Sequence, residues 1–195
     1  RQMCIRDRLK PYKIPGIVVT ITNPADIVAD YVRKGLGLER NRVFGTGTLL
    51  DTARLIRTLS EESGVGRRSI QAYSLGEHGD SSMIPFSSVT IGGLPFDAYD
   101  ISKEKVLEAT RQIGMTIIEG KKSTEFGIGR ALTEIAACIL RDEKKIMPAS
   151  VLLQGEYGQH DVHCGVPCLI GKNGIEKIIE LPLTEEEQEM LNKSC

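Results

Sequence analysis

Charge of one sign is what this 195-residue sequence most plainly lacks: 25 Lys+Arg stand against 26 Asp+Glu, a net charge of −1. No long-range field gathers nucleic acid or an anionic membrane surface, so partners must be met through a pocket. Long apolar runs are also missing: none approaches the roughly 20 residues that a membrane span needs, and the first residues lack a signal peptide's apolar stretch. The five cysteines (Cys4, Cys138, Cys164, Cys168 and Cys195) are odd in number and scattered, which argues against a disulfide framework and for a reducing, cytoplasmic setting. Metal-ligand spacing is absent. Cys164 and Cys168 have no second pair to complete a site, and His160 and His163 would face opposite sides of a strand. No Gly-x-Gly-x-x-Gly follows a strand. The Gly45-x-Gly47 and Gly127-x-Gly129 pairs lack a third glycine and a preceding strand, so no complete nucleotide-binding loop is expected.

What is present suffices for one good core, 41% of residues being hydrophobic. Residues 16–21 are β-branched and apolar on both faces, which predicts a strand buried in a parallel sheet. Pro24 suits a first helical turn, so a helix is expected over 25–34, stopping near Gly35 and Gly37. A second helix fits 49–63, with Leu49, Leu50, Ala53, Ile56 and Leu59 as its apolar stripe. Two more fit 103–119 and 124–142 and are expected to pack together. Strands are expected over 69–74, 87–91, 149–153, 161–170 and 176–181, with Lys172-Asn173-Gly174 as a hairpin turn. Thr184 with Glu187 forms a capping box, so a closing helix with an exposed acidic face should follow.

Two clusters can carry chemistry. His78 lies between Gly76 and Gly79 in Leu75-Gly76-Glu77-His78-Gly79-Asp80-Ser81, where the backbone can bring an imidazole close to a ligand. Histidine titrates near neutral pH and can both take and give a proton. The other reading is a satisfied turn histidine. Asp51 and Arg54 sit three apart on one helix face. A carboxylate bonded to one imidazole nitrogen fixes the tautomer and stabilises the cation, and a guanidinium can clamp a carboxylate through two parallel hydrogen bonds. Alternatively they form an ordinary i, i+3 ion pair.

Taken in order, Val19-Thr20-Ile21-Thr22-Asn23-Pro24-Ala25-Asp26, then Gly45-x-Gly47-Thr48-x-Leu50-Asp51-Thr52-Ala53-Arg54, then Gly76-Glu77-His78-Gly79-Asp80-Ser81 resemble successive signatures of the lactate/malate dehydrogenase family. Gly155-Glu156-Tyr157-Gly158-Gln159-His160-Asp161-Val162 and Glu180-Leu181-Pro182-Leu183-Thr184-Glu185-Glu186-Glu187 are similar to its lactate branch. The resemblance runs from about Leu9 onward. It implies an α/β chain: the α+β C-terminal substrate domain at 23–195, preceded at 1–22 by a tail unlike the family and the last strand of a truncated Rossmann domain.

The same resemblance implies NAD-linked interconversion of L-lactate and pyruvate, with malate or hydroxyisocaproate as alternatives. A non-catalytic folded module or oligomer partner is a reading of another class. His78 is then the proton donor and acceptor, Asp51 orients it, and Arg54 holds the substrate carboxylate. Asn23 touches the reacting oxygen beside the nicotinamide and precedes a cis proline, Thr124 walls the substrate pocket, and Ile128 touches the nicotinamide. The family's glycine-rich loop and its substrate-discriminating mobile loop have no counterpart here, so the chain alone is expected to be inactive. The full-length protein is expected to be a homo-oligomer, a tetramer. Arg1 to Arg8 are expected to be an unstructured tail.

Overall fold

The computed structural model describes residues 2–122 and 124–195, excepting the side chains of residues 2–5, 115, 118 and 121. Arg1 and Ser123, both within stretches read above, lie outside the described residues. In chain order the first half contains α1 (Gln2–Leu9), β1 (Val18–Thr20), α2 (Ala25–Leu36), β2 (Val43–Gly45), α3 (Leu49–Ser63), β3 (Ile70–Gln71), β4 (Thr90–Ile91) and β5 (Leu94–Pro95). The second half contains α4 (Lys103–Lys121), α5 (Glu125–Arg141), β6 (Lys145–Gln154), β7 (His160–Gly171), β8 (Gly174–Ile178) and α6 (Glu185–Ser194).

A five-stranded mixed sheet runs in the order β1-β2-β6-β7-β8, and β3, β4 and β5 form a small antiparallel sheet. β1 and β2 are parallel, with Val18 opposite Val43 and Thr20 opposite Gly45. The remaining neighbours are antiparallel, from Lys145 opposite Ile170 to Gln154 opposite His160 along β6 and β7. The α/β class expected from the sequence is the class observed. β1 departs from expectation: it is the edge of the sheet and half-buried throughout, so its apolar residues are not enclosed on both faces. The sequence reading also leaves Gly45-x-Gly47 without a preceding strand. In fact β2 precedes it, fully buried but only three residues long, too short to show a period.

Two large cores, and a small one of Val28, Val32 and Val43 beneath α2, hold the elements. Phe44, Ile135, Leu153, Ile170 and Leu191 centre the one around the large sheet, while Leu55, Leu59, Val89, Ile91, Phe96 and Val106 centre the other beside the small sheet. Each such side chain, fully buried, contributes about 1.5–3 kcal/mol. α2 buries Ala25, Val28, Ala29 and Val32 and stops at left-handed Gly37; Gly35 lies inside the helix. α3 spans the expected residues, but its buried stripe is Leu49, Thr52, Leu55, Thr58 and Leu59. Leu50 and Ala53 are turned away from that stripe, toward a cavity. α4 packs chiefly on α3 and α5 on β7, so the expected pairing of these two helices is not the main contact of either. The strands expected at 69–74 and 87–91 shrink to two residues each, the first because the chain leaves the ladder after Gln71 to bond with α3, the second because Phe86–Ser88 form a 3-10 turn. Of the tail expected to be unstructured, residues 2–8 are helical, within α1 (Gln2–Leu9), and the Arg6 guanidinium lies 4.3 Å from the centre of the Tyr31 ring on α2.

The hairpin at Lys172-Asn173-Gly174 forms, with Gly174 at φ 89°. The capping box also forms: Thr184 Oγ1 accepts from the Glu187 amide at 3.2 Å, and Glu187 Oε2 accepts from the Thr184 amide at 3.0 Å. Glu187 does not belong to an exposed acidic face, however. It is 6% exposed and also accepts from the Ser87 amide and hydroxyl, which ties α6 to the small-sheet region. Burial raises its pKa, yet the bonds from Ser87 and Thr184 prevail and hold it below the ordinary glutamate value. Glu187→Ala leaves these donors unpaired and should destabilise the fold by about 1–3 kcal/mol in urea unfolding. An unchanged midpoint would show that the clasp contributes nothing.

Candidate active site

The turn from β2 into α3 brings the reactive groups together. Gly47 sits at φ 49°, and a Cβ there would lie 2.5 Å from the Ser150 amide nitrogen, so only glycine lets α3 start this close to β6. On the buried side of α3, one turn apart, Thr48 and Thr52 seize both backbone groups of Ser74. The Thr48 hydroxyl donates to the Ser74 carbonyl at 2.5 Å, and the Ser74 amide donates to Thr52 Oγ1 at 2.9 Å. Beyond Ser74, Leu75 pairs with Met83 through both backbone bonds, and Gly76 pairs with Gly165 of β7 in the same way. The loop that carries His78 is thereby pinned to α3 on one side and to β7 on the other.

Asp51 and Arg54 project from α3 toward that loop. His78 Nδ1 lies 2.6 Å from Asp51 Oδ2, and Arg54 Nη1 donates to Asp51 Oδ1 at 3.1 Å. The three groups read from separate stretches of sequence meet in one place. The Asp51 bond is the largest influence on His78 and, with the fields of Asp51 and Asp26, raises its pKa above the ordinary histidine value against the opposition of burial and Arg54. With Nδ1 committed to Asp51, Nε2 is the nitrogen left to exchange a proton. A raised folded-state pKa means that this pair stabilises the fold below the unfolded histidine value and loses its contribution as pH rises through the folded one.

Asp26, to which the sequence assigns no role, also reaches the His78 loop. From the first turn of α2 its Oδ2 accepts from the His78 amide at 3.1 Å, while Oδ1 accepts from the Ser150 hydroxyl of β6 at 2.5 Å. Burial raises its pKa above the usual carboxylate value despite both bonds. In sequence, an acid in a first helical turn signals only dipole complementation.

A cavity of about 290 Å³ opens beside the triplet, lined among others by Asn23, Leu50, Asp51, Arg54, His78 and Thr124. Asn23 reaches it from the end of β1, and the Asn23-Pro24 peptide is cis, as expected. Thr124 occupies the N-cap position of α5. Ile128 lies one turn further along α5, on the same face, but packs against the main core and does not line this cavity. Arg111 of α4 lines it as well and donates to the Asp80 carbonyl at 3.3 Å; nothing in the sequence pattern marks it. Arg54 spends Nη1 on Asp51, and its Nε has no hydrogen-bond partner among the described residues, so the five-donor guanidinium is not used up by the ion pair. His160 is exposed and His163 buried near Asp30, but the opposite faces expected for them are not found: Asp161, at φ 57°, is an extra residue in β7, so His160 pairs with Gln154 and His163 with Leu152, two positions on one side of β6. Among the described residues no helix is long and apolar enough to cross a membrane.

Known proteins match this arrangement along most of the chain. Residues 48–195 match the family described as lactate/malate dehydrogenase, alpha/beta C-terminal domain. An L-lactate dehydrogenase of Fusobacterium nucleatum is 46% identical over 189 residues, covering 92% of this chain and 59% of its own length. Two solved structures each cover 99% of this chain and 64% of their own. A lactate dehydrogenase from a Medee basin deep-sea metagenome library superposes with a TM-score of 0.94 at 37% identity. The lactate dehydrogenase of Cryptosporidium parvum, complexed with lactic acid and nicotinamide adenine dinucleotide, does so at 0.93 and 32%. The chain thus spans about three-fifths of the length of its relatives, and over that span its fold and its sequence agree in making it a member of the lactate/malate dehydrogenase family.

Proposed function

We propose that the whole protein is an NAD-dependent dehydrogenase of 2-hydroxy acids, with L-lactate and pyruvate as its substrate pair. The observation that carries this reading is the contact of His78 with Asp51, with Arg54 opening into the same cavity. In the reducing direction Arg54 clamps the substrate carboxylate in a bidentate fork, using donors that Asp51 leaves unspent. Protonated His78 gives its Nε2 proton to the oxygen developing at C2, and Asp51 stabilises the imidazolium and holds its tautomer. Asn23 bonds the reacting oxygen from the opposite side, and Thr124 walls off the substrate's side chain. When bound, NAD supplies or accepts the hydride. Asn23 and Ile128 would hold its nicotinamide end, and no glycine-rich phosphate loop is present in this stretch of chain.

In this reading residues 23–195 form the substrate domain, and β1 is the last strand of the cofactor-binding domain. The 195-residue stretch alone is inactive, and the whole protein works in the cytoplasm as a homotetramer that meets small molecules only. Lactate is favoured over malate by the lactate-branch stretches at 155–162 and 180–187 and by the name of the Fusobacterium relative. The test is to supply the whole protein with NADH and, in turn, pyruvate, oxaloacetate and 2-oxoisocaproate, following NADH absorbance. Oxidation of NADH should be fastest with pyruvate. Preference for another 2-oxo acid reassigns the substrate, and no oxidation with any of them removes the enzymatic reading.

A further inference from the structure

Behind the His78 loop, on the side away from Arg54, two thiols face each other. Cys164 Sγ of β7 and Cys195 Sγ at the end of α6 are 2.7 Å apart, although 31 positions separate them in sequence. A covalent S–S bond is about 2.04 Å, so closing it needs an approach of only about 0.7 Å. The other described thiols, Cys138 and Cys168, are buried and donate to the backbone carbonyls of Ile170 and Val166. Cys164 is 1% exposed, whereas Cys195 is partly exposed and lines a cavity of about 350 Å³ together with Asp26, Glu77, His78 and Ser194. One thiol is reachable from outside and the other waits behind it, which is the arrangement of an attacking and a resolving cysteine.

The neighbours of this pair give it a consequence. Ser194, next to Cys195, accepts the Glu77 amide at 2.9 Å, and its hydroxyl lies 3.1 Å from that of Ser81. Gly165, next to Cys164, makes both backbone bonds to Gly76. The loop bearing His78 is therefore gripped by one residue adjacent to each cysteine.

We propose that Cys164 and Cys195 are a peroxide-sensitive dithiol pair whose disulfide fastens together the two supports of the His78 loop. The Cys195 thiolate attacks a hydroperoxide oxygen and becomes a sulfenic acid, releasing water or an alcohol after protonation. Cys164 then displaces hydroxide from that sulfur, its own proton leaving with it as water. Two thiols are oxidised by two electrons in all, and one peroxide is reduced. A dithiol reductant reverses the bond by exchange, so in a reducing compartment the disulfide is transient. The contact with Cys164 lowers the Cys195 pKa, in the direction that favours attack, while the same contact and burial raise that of Cys164. This inference does not depend on the dehydrogenase reading.

The test treats the reduced protein with hydrogen peroxide, blocks remaining thiols, and digests it for mass spectrometry. A peptide pair joining Cys164 to Cys195, lighter by two hydrogen atoms and released by dithiothreitol, is expected. Hydrogen exchange at the Glu77 amide should slow several-fold in the oxidised form. Cys164→Ser should leave Cys195 as a sulfenic acid that a dimedone probe labels, and Cys195→Ser should abolish both the link and that label. Pairing through Cys4, Cys138 or Cys168 instead, over-oxidation of Cys195 without a link, or a link that leaves Glu77 exchange unchanged would overturn the proposal. The wild-type measurement decides the matter even if the buried Cys164→Ser variant fails to fold.

Discussion

Replacing His78 by glutamine in the whole protein is expected to lower kcat for 2-oxo acid reduction by roughly 10²- to 10⁴-fold, the usual worth of a positioned acid–base group. Glutamine can still donate to Asp51 Oδ2, which His78 Nδ1 approaches at 2.6 Å, so the α3 side of the site has a partner and the loss falls on proton transfer. The pH profile provides a second signature. Because Asp51 and Asp26 raise the His78 pKa, the wild-type reducing reaction should be level on the acid side and fall as pH rises through that raised value. Oxidation of the hydroxy acid needs neutral imidazole and should rise over the same interval. In His78→Gln both limbs should vanish. Wild-type turnover in the variant, or a limb that survives the substitution, would remove His78 from the reaction.

Arg54→Lys is the second large effect. The charge is kept, but the fork is lost: an ammonium cannot bond Asp51 and grip both oxygens of a carboxylate in one plane. The native guanidinium divides its donors: one goes to Asp51 Oδ1 at 3.1 Å, and Nε has no partner among the described residues. Losing a charge-assisted bond of about 1.5–3 kcal/mol should lower kcat/KM by about 10- to 100-fold, mostly through a higher KM. Acetate, a bare carboxylate, is expected to compete with substrate in the native protein and to compete less well in the variant. Unaltered KM would mean that the carboxylate is bound elsewhere, with Arg111 the first candidate on this cavity.

Much of this site is legible in the sequence, and the exceptions have physical causes. α3 was readable to the residue because Gly64 ends it and its pattern is helical throughout, yet which face is buried was not. Thr52 and Thr58 take core positions that an apolar count assigns to Leu50 and Ala53, since a buried hydroxyl is tolerable once it has a partner: Thr52 accepts from the Ser74 amide and Thr58 from the Thr110 hydroxyl. Asp51 and Arg54 are close in sequence and visible as a pair. Their meeting with His78 spans 27 positions, and only the family signatures hinted at it. The bond from the His78 amide to Asp26 spans 52 positions and has no local trace. Glu187 shows the same limit. Its place in the capping box is written locally, and its burial against Ser87, 100 positions away, is not.

The junction between the parallel strands and the antiparallel ones is narrow. β2 meets β6 through the single pair Gly45 and Ser150, and Asp26 bridges that seam by holding the Ser150 hydroxyl with one oxygen and the His78 amide with the other. A rivet of this kind makes the reactive imidazole a strain gauge for the joint: slackening between the two halves of the sheet reaches His78 through one shared carboxylate before either half has begun to unravel.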